Sequence, residues 1–426
     1  MPREIFMKNR KALPHKIKNT ARKTAKLNDM AKMFKQAMAK QDYLTARKCC
    51  ETVLSITPEN PTIMSDYALT LMRTGDHQQA YALYLHMLDT CHKTPYSGNW
   101  MDGLTEVCGI LGKTAEVRQY GYQSLVQADN HFSKGMKYIY PEKCPPVFNP
   151  DNNGQNIIAF SLYGDSPKYC ETLIKNAEIR AELYPEWTCR VYHDNSVPVH
   201  VLTRLEDNDV QLINMSNETA IPATLWRFLV MDDPDVSRFL VRDADSLFSE
   251  KEAAAVAEWV VSPFWFHHMR DFYTHTELLL AGLWGGCTGV IPSVYNLILA
   301  FVKDHKGNAR FTDQHFLRQA LWPTLRESIL NHDEIFHFHR PKKYPVSQPV
   351  RWKTDHFHVG SNASYSAIGG KARENYAGDI TVEMQIHGHI ATYIAHVQAG
   401  RWSLPLPFFL VDEYQQQAIT IALFES

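Results

Sequence analysis

The first third of the chain places apolar residues at intervals of three and four, the spacing of one face of an α-helix. Ala31, Phe34, Ala37 and Met38 form the first such set, and similar sets follow further along the chain. Turn-forming residues separate these sets, which predicts helices joined in pairs by short turns. The pattern therefore predicts an all-helical domain over residues 27–135.

The predicted helix pairs recur with a regular period. Their internal turns at Asp42, Asp76 and Lys113 are spaced by about 34 and 37 residues, a period that resembles tetratricopeptide repeats. Ala46 and Ala80 near the start of each second helix carry the rest of the resemblance. The resemblance implies a curved surface that binds a peptide or protein partner. The alternative is that these helices only support the second half of the chain.

After residue 155 the pattern changes to short apolar runs that alternate with helices. The run Asn156–Leu162 is almost continuously apolar, as expected for a parallel strand buried on both faces. A helix is predicted from Pro167 to Tyr184, and further strands over Thr188–His193 and Val210–Met215. This alternation predicts an α/β domain with a mainly parallel sheet over residues 156–370.

Candidate binding residues follow the predicted strands, because ligands of such sheets lie beyond the carboxyl ends of the strands. Tyr163 and Asp194 follow the first two strands, and Asp243 and Asp245 follow the apolar run Phe239–Val241. Two carboxylates at one strand end can bind a hard cation such as Mg²⁺ or Mn²⁺, which commonly bridges phosphates. The sequence thus predicts a metal-diphosphate site at the two aspartates. The alternative is a pair of turn-forming or capping side chains.

Five further segments accompany the Asp-Ala-Asp motif in a characteristic order: Ala223–Phe228 before it, then Phe266–Asp271, Ala281–Gly286, Thr312–Leu317 and His356–Gly360. Together, from Ile157 to about Gly360, these segments resemble a GT-A-fold glycosyltransferase of the glycogenin-like type. The resemblance implies a Rossmann-like sheet that binds a nucleotide-diphosphate sugar. It also implies metal-dependent transfer of the sugar to a protein or glycan acceptor.

The resemblance implies a role for several individual residues. Arg227 would face the donor phosphate or ribose, and Asp243 and Asp245 would bind the metal and the diphosphate. Gly285 and Gly286 would belong to a glycine-rich loop near the donor sugar.

Two aspartates are candidates for contact with the acceptor hydroxyl. Asp271 and Asp313 could position that hydroxyl or remove its proton. A structural role is the alternative for each, since an aspartate at the start of a helix is an ordinary N-cap.

A late histidine would complete the metal site by resemblance. His356 and His358 both lie near the expected position, and His358 is favoured. The family's phosphate-binding lysine, which follows that histidine, has no counterpart here. Arg351 and Lys353 are the candidate substitutes.

Composition narrows the class of protein. The formal net charge is −2, which gives the chain as a whole no attraction for nucleic acid, although residues 1–26 are basic and predict a flexible arm. The chain has eight cysteines and no Cys-x-x-Cys pair, which predicts that the cysteines are reduced thiols. The basic start is not followed by the apolar run that a secretory signal would contain. These features predict a cytoplasmic protein. No apolar run approaches the roughly 20 residues that span a bilayer.

Two further segments flank the predicted α/β domain. Residues 136–155 are rich in proline and predict a linker, and residues 371–426 predict a C-terminal extension packed on the catalytic domain.

One alternative function is a non-catalytic interaction protein with a degenerate sugar-nucleotide-binding domain. Another is a metal-dependent phosphotransferase or nucleotidyltransferase. The intact carboxylate pair favours an enzyme, and the missing phosphate-binding glycine motif disfavours the phosphotransferase.

Overall fold

A computed structural model describes residues 15–91, 100–305, 311–355, 357–373, 376 and 378–425. The chain divides into two compact units, Met1–Ser124 and Leu125–Ser426. We call them the helical unit and the α/β unit. The helices of the first region are α1 (His15–Ala39), α2 (Tyr43–Leu54), α3 (Pro61–Arg73), α4 (His77–Cys91), α5 (Trp100–Ile110) and α6 (Thr114–Phe132).

The predicted helix pairs are present, and local signals define their ends. The Asp42 side chain accepts a hydrogen bond from Thr45 N at the start of α2, and Asn60 caps α3 in the same way. Gly75 adopts a positive φ of 87° in the turn between α3 and α4, a conformation that favours glycine. Ala46 and Ala80 are fully buried, so their small side chains allow the helices to approach closely.

Helix α1 extends into the segment that the sequence predicts as a flexible arm. It begins at His15, so residues 15–26 are helical, while residues 1–14 lie outside the described residues. The alanines and lysines of this stretch are good helix formers, which explains how a basic segment continues a helix.

The α/β unit contains a large sheet and several helices. Its strands are β1 (Asn156–Leu162), β2 (Thr188–His193), β3 (Gln211–Asn214), β4 (Arg238–Val241), β5 (Phe266–Arg270), β6 (Trp284–Cys287), β7 (Ile329–Asp333) and β8 (Pro341–Lys342). The helices are α7 (Pro167–Leu183), α8 (Val199–Glu206), α9 (Glu250–Val260), α10 (Val294–Asp304), α11 (Thr312–Phe316), α12 (Trp322–Leu325) and α13 (Phe408–Gln415). Asn153–Gln155 and Ala223–Asp232 form 3₁₀ helices, and Leu317–Leu321 is a π-helical turn.

The strand order of this sheet is β3-β2-β1-β4-β6-β5-β7-β8. Strand β6 runs antiparallel to both of its neighbours, whereas the other pairs are parallel. The chain moves outward from β1 through β2 to β3 and then returns to place β4 on the opposite side of β1. The crevice beyond the carboxyl ends of β1 and β4 is therefore the place where such a sheet binds ligands.

The C-terminal segment forms a second sheet. It is antiparallel, with the order β13-β10-β11-β12-β9. Its strands are β9 (Ser366–Lys371), β10 (Asp379–Ile386), β11 (His389–Gln398), β12 (Arg401–Leu406) and β13 (Thr420–Glu425). The hydroxyl of Tyr393 on β11 donates a hydrogen bond to the buried Glu171 on α7, which also pairs with Arg204 at 2.8 Å. This buried network fastens the second sheet to the helices beside the first.

The proline-rich segment predicted as a linker lies against the α/β unit. The Tyr140 hydroxyl donates to Thr324 O at 2.9 Å, and the Phe148 ring stacks on Trp187 with centroids 5.9 Å apart. Arg238 donates to Pro146 O at 2.6 Å. The boundary between the units instead falls inside α6, where Asp129 accepts a hydrogen bond from Trp322 of the α/β unit. Prolines prevent regular structure in the segment, but its aromatic side chains bind it to the unit that follows.

In the part of the chain that the structure describes, none of the helices combines the length and the apolar character needed to cross a bilayer.

Candidate functional site

A cavity of about 580 Å³ opens beyond the carboxyl ends of β1 and β4. The lining residues come from five places: the end of β1, the start of α7, the 3₁₀ helix before β4, the turn after β4, and the start of α11. They are Ser161, Leu162, Tyr163, Tyr169, Thr224, Arg227, Asp243, Ala244, Asp245 and Asp313. The structure thus places Tyr163, Arg227, Asp243, Asp245 and Asp313 of the candidate residues around one cavity.

The Asp243 carboxylate lies at the mouth of this cavity, with its side chain 42% exposed. Gly282 lies directly behind it. A Cβ atom at that glycine would stand 2.1 Å from Asp243 Oδ2 and 2.9 Å from Asp243 N. Only a residue without a side chain permits this approach, so Gly282 sets the position of the carboxylate.

Arg227 is the central cation of the cavity. Its side chain is 6% exposed, and its Nη1 forms an ion pair with Asp243 and donates to Arg242 O at 2.9 Å. Its Nη2 pairs with Asp313 Oδ2 at 3.0 Å. Burial lowers the pKa of Arg227, but the two carboxylates outweigh burial and raise that pKa above its ordinary value. Arg227 therefore stays charged and joins the two sides of the cavity.

Asp245 is more enclosed than Asp243 and has its own cation. Lys168 Nζ, in the first turn of α7, lies 2.8 Å from Asp245 Oδ2. Burial raises the pKa of Asp245, the nearby Asp243 raises it further, and Lys168 opposes both. Two carboxylates in one cavity, one of which raises the pKa of the other, form a site that favours a cation.

The Asp313-Gln314 pair performs two different tasks at the start of α11. Asp313 Oδ1 accepts a hydrogen bond from Gln314 N at 2.8 Å, while Oδ2 faces Arg227. Burial raises the pKa of Asp313, and Arg227 opposes the rise. The Gln314 amide donates to Leu279 O at 2.7 Å and accepts from Ala281 N at 3.0 Å. Gln314 thus holds the loop that leads to Gly282.

Asp271 lies outside the cavity lining. Its carboxylate forms an ion pair with Lys251 on α9 and accepts a hydrogen bond from Val359 N at 3.0 Å. These contacts join the loop after β5 to the loop that contains His358. The geometry gives Asp271 a role in joining loops, whereas Asp313 lies at the cavity.

His358 does not line this cavity either. Its ring stacks on Phe272 with centroids 3.8 Å apart and planes 7° from parallel. The backbone beyond it does reach the motif, since Ala363 N donates to Asp245 O at 2.8 Å. Among the described residues, which exclude His356, no three His, Cys, Asp or Glu side chains form a group that could hold a metal ion.

Three other residues predicted to bind the donor do not line the cavity, and their contacts give them a structural role. Gly285 and Gly286 lie in strand β6, not in a loop, and a Cβ atom at Gly285 would stand 2.5 Å from Phe239 O. Their size serves the close pairing of β6 with its neighbours. Asp194 accepts hydrogen bonds from the backbone and hydroxyl of Ser196, whose hydroxyl also accepts from Gly164 N at 2.6 Å. Asp194 therefore shapes the loops beside the cavity without lining it.

The two candidate substitutes for the phosphate lysine lie away from the cavity lining as well. Arg351 pairs with Glu250 at 2.6 Å and with Glu182, and Lys353 is exposed.

Sequence reasoning missed Lys168, Tyr169 and Thr224 at or beside the cavity. A signal was available for the first two, because they open the helix that follows the first strand. The start of that helix lies at the carboxyl end of the sheet, where ligands bind.

Comparison with known proteins leaves the family open. The sequence matches no protein-family model and no curated protein. Among solved structures, the chain has a similarity to a mutant O-GlcNAc transferase of Thermobaculum terrenum, with 12% sequence identity and a TM-score of 0.27. The matched region covers 51% of this chain and 50% of that one, so the match spans about half the length of the bacterial protein. At that TM-score the similarity carries no conclusion about fold or activity.

Proposed function

We propose that the α/β unit is a metal-dependent glycosyltransferase of the GT-A type, which transfers a sugar from a nucleotide-diphosphate donor to a protein or glycan acceptor. One observation carries the proposal: Asp243, Asp245 and Arg227 share a single cavity at the point where the strand order of the sheet reverses. The continuous sheet with one antiparallel strand also supports a single nucleotide-sugar-binding domain.

The donor set fits a hard divalent cation. Mg²⁺ is commonly held by one or two carboxylates, with the remaining positions taken by water and substrate phosphates. Asp243 and Asp245 supply two carboxylates to the same cavity, and each pairs with a positively charged side chain. Such a site needs no third protein ligand. When bound, Mn²⁺ or Mg²⁺ would supply positive charge to the oxygens of the diphosphate.

The protein's own residues then account for the chemistry of transfer. As the bond to the sugar breaks, negative charge grows on the diphosphate, and Arg227 is already oriented in the cavity to stabilise it. Its two ion pairs fix the guanidinium before the substrate arrives, which lowers the cost of reorganisation.

Asp313 is the carboxylate we assign to the acceptor hydroxyl. It lines the cavity, and its raised pKa makes it a stronger base than an ordinary aspartate. Tyr163 and Tyr169, which are 43% and 38% exposed, offer aromatic faces to a base or sugar ring. A peptide partner on the helical unit remains a prediction from the repeat pattern.

Asp243→Asn and Asp245→Asn test the metal-diphosphate assignment. We expect each change to weaken Mn²⁺-dependent binding of uridine or guanosine diphosphate by roughly 100-fold or more, because it removes one ligand charge. Calorimetry measures the binding, and thermal melting checks that the fold survives. Asp412→Asn, at an exposed position on α13, is the matched control.

Unchanged binding in both variants would remove the basis for the assignment. Release of nucleotide from a panel of donor sugars, with Mn²⁺ present, separates an enzyme from a non-catalytic binder. A protein that binds the diphosphate but never releases nucleotide would favour the interaction-protein alternative.

A further inference from the structure

Among the described residues, Lys168 is a cation beside the cavity to which the proposed function gives no role. Its ammonium lies 2.8 Å from Asp245 Oδ2 and 4.7 Å from the centre of the Tyr169 ring. Asp245 and Tyr169 both line the cavity. Lys168 therefore lies at the border of the cavity and pairs with a different carboxylate from the two that Arg227 contacts.

The side chains at the cavity carry a net negative charge, which does not favour a diphosphate. Asp243, Asp245 and Asp313 carry three negative charges, and Arg227 and Lys168 carry two positive charges. A divalent cation at Asp243 and Asp245 would turn a net negative cavity into a net positive one, as a diphosphate requires. However, that cation would meet the ammonium of Lys168 already bound to Asp245. Two cations at one carboxylate repel each other.

Lys168 can leave this pair without a change in the fold. A lysine carries its charge on a flexible four-carbon stem with three rotatable donors, unlike the rigid fork of an arginine. Its side chain is 24% exposed, so part of the surface around the ammonium is already open. Arg227, in contrast, is fixed by three contacts and is 6% exposed.

We propose that Lys168 is a second phosphate-binding cation, which exchanges its ion pair with Asp245 for a contact with the diphosphate when a divalent cation binds Asp245. This inference rests on the proposed function and adds a residue to its substrate site. It assigns Lys168 opposite effects on two ligands, because the ammonium competes with the metal but attracts the phosphate.

Lys168→Met separates the two effects. With Mn²⁺ alone, we expect the variant to bind the metal about two- to fivefold more tightly, since a partly exposed competing ion pair is gone. At saturating Mn²⁺, we expect uridine or guanosine diphosphate to bind roughly 10- to 100-fold more weakly, since a charged hydrogen bond is lost. Calorimetry measures both affinities on the full chain. Lys168→Arg should restore most of the diphosphate affinity.

Lys175→Met is the matched control, because Lys175 lies on the same helix and pairs with Glu178 at 3.0 Å, away from the cavity lining. If Lys168→Met weakens both ligands, Lys168 only positions Asp245, and the inference is overturned. Unchanged affinities for both ligands overturn it as well. A wild-type protein that binds neither Mn²⁺ nor either diphosphate would instead contradict the proposed function itself.

Discussion

Replacement of Arg227 by methionine tests whether the cavity is held together by its charges. The guanidinium makes ion pairs with Asp243 and Asp313 and a hydrogen bond to Arg242 O. Methionine fills much of the same volume with a flexible apolar chain, so little empty space should result. The main effect is that two carboxylates lose their common cation.

The size of the effect follows from the exposure of the two carboxylates. Breaking a buried ion pair by removing one partner typically costs about 3–5 kcal/mol. The Asp313 side chain is 13% exposed and should approach that range, whereas Asp243 is 42% exposed and can regain water. Asp313 can also take up a proton, since its pKa is already raised. We therefore expect Arg227→Met to destabilise the α/β unit by about 2–4 kcal/mol.

Urea unfolding followed by tryptophan fluorescence measures this change. Eight of the nine tryptophans belong to the α/β unit, and Trp100 belongs to the helical unit. The fluorescence signal therefore reports mainly the unfolding of the α/β unit, which contains Arg227. Asp313→Asn in the Arg227→Met background should recover about 1–2 kcal/mol, because it removes the stranded charge.

Arg190→Met provides the comparison, since Arg190 pairs with the single, partly exposed Asp233 at 2.6 Å and should cost less. A loss below about 0.5 kcal/mol for Arg227→Met, in the range of ordinary surface changes, would refute the reasoning.

Three other variants probe two glycines of the α/β unit and a half-buried acid, Asp66, in the helical unit. Gly282→Ala should abolish Mn²⁺-dependent nucleotide binding, because its Cβ would stand 2.1 Å from Asp243 Oδ2 and displace that carboxylate, and the 2.9 Å approach to Asp243 N adds a moderate loss of stability. Gly285→Ala should cost more stability, about 2 kcal/mol or more, because its Cβ would stand 2.5 Å from the backbone oxygen of Phe239. Calorimetry measures the binding and urea unfolding the stability, and equal effects of the two variants in both measurements would contradict these separate roles. Burial raises the pKa of Asp66 from 3.8 to about 6, so the folded protein binds this proton more tightly than the unfolded chain, and stability falls as the pH rises between these values. Asp66→Asn should therefore add about 1–2 kcal/mol at pH 7, after allowance for partial exposure, and almost nothing below pH 4. Circular dichroism melts at both pH values test this, and an equal effect at both would contradict it.

The strands next to the cavity could be predicted from the sequence because they are buried on both faces. The run from Asn156 to Leu162 is almost wholly apolar, and the structure gives β1 the same bounds. The same reasoning located β2 and the strand before Asp243. Continuous burial leaves a signal in composition that needs no knowledge of distant contacts.

The second sheet can also be recognised in the sequence, but from a weaker pattern. Strand β12 alternates exposed and buried positions along its whole length, the period of a strand with one face in water. The sequence interpretation treated residues 371–426 only as an extension. The family resemblance implies a glycine-rich loop at Gly285 and Gly286, but the structure places both in strand β6, where their small size lets β6 lie between β4 and β5.

By itself, the sequence determined which side chains follow the strands of the sheet, because chain order and apolar runs fix the carboxyl ends where ligands bind. Only the tertiary structure decided between Asp313 and Asp271, two aspartates with equal standing in the sequence. Asp313 meets Arg227 at the cavity, while Asp271 meets Lys251 and the backbone of Val359. It also brought Lys168 to Asp245, 77 positions further along the chain, by the parallel pairing of β1 with β4. Periodicity and propensity act over a few residues, whereas ion pairs between distant residues exist only once the strands have been ordered.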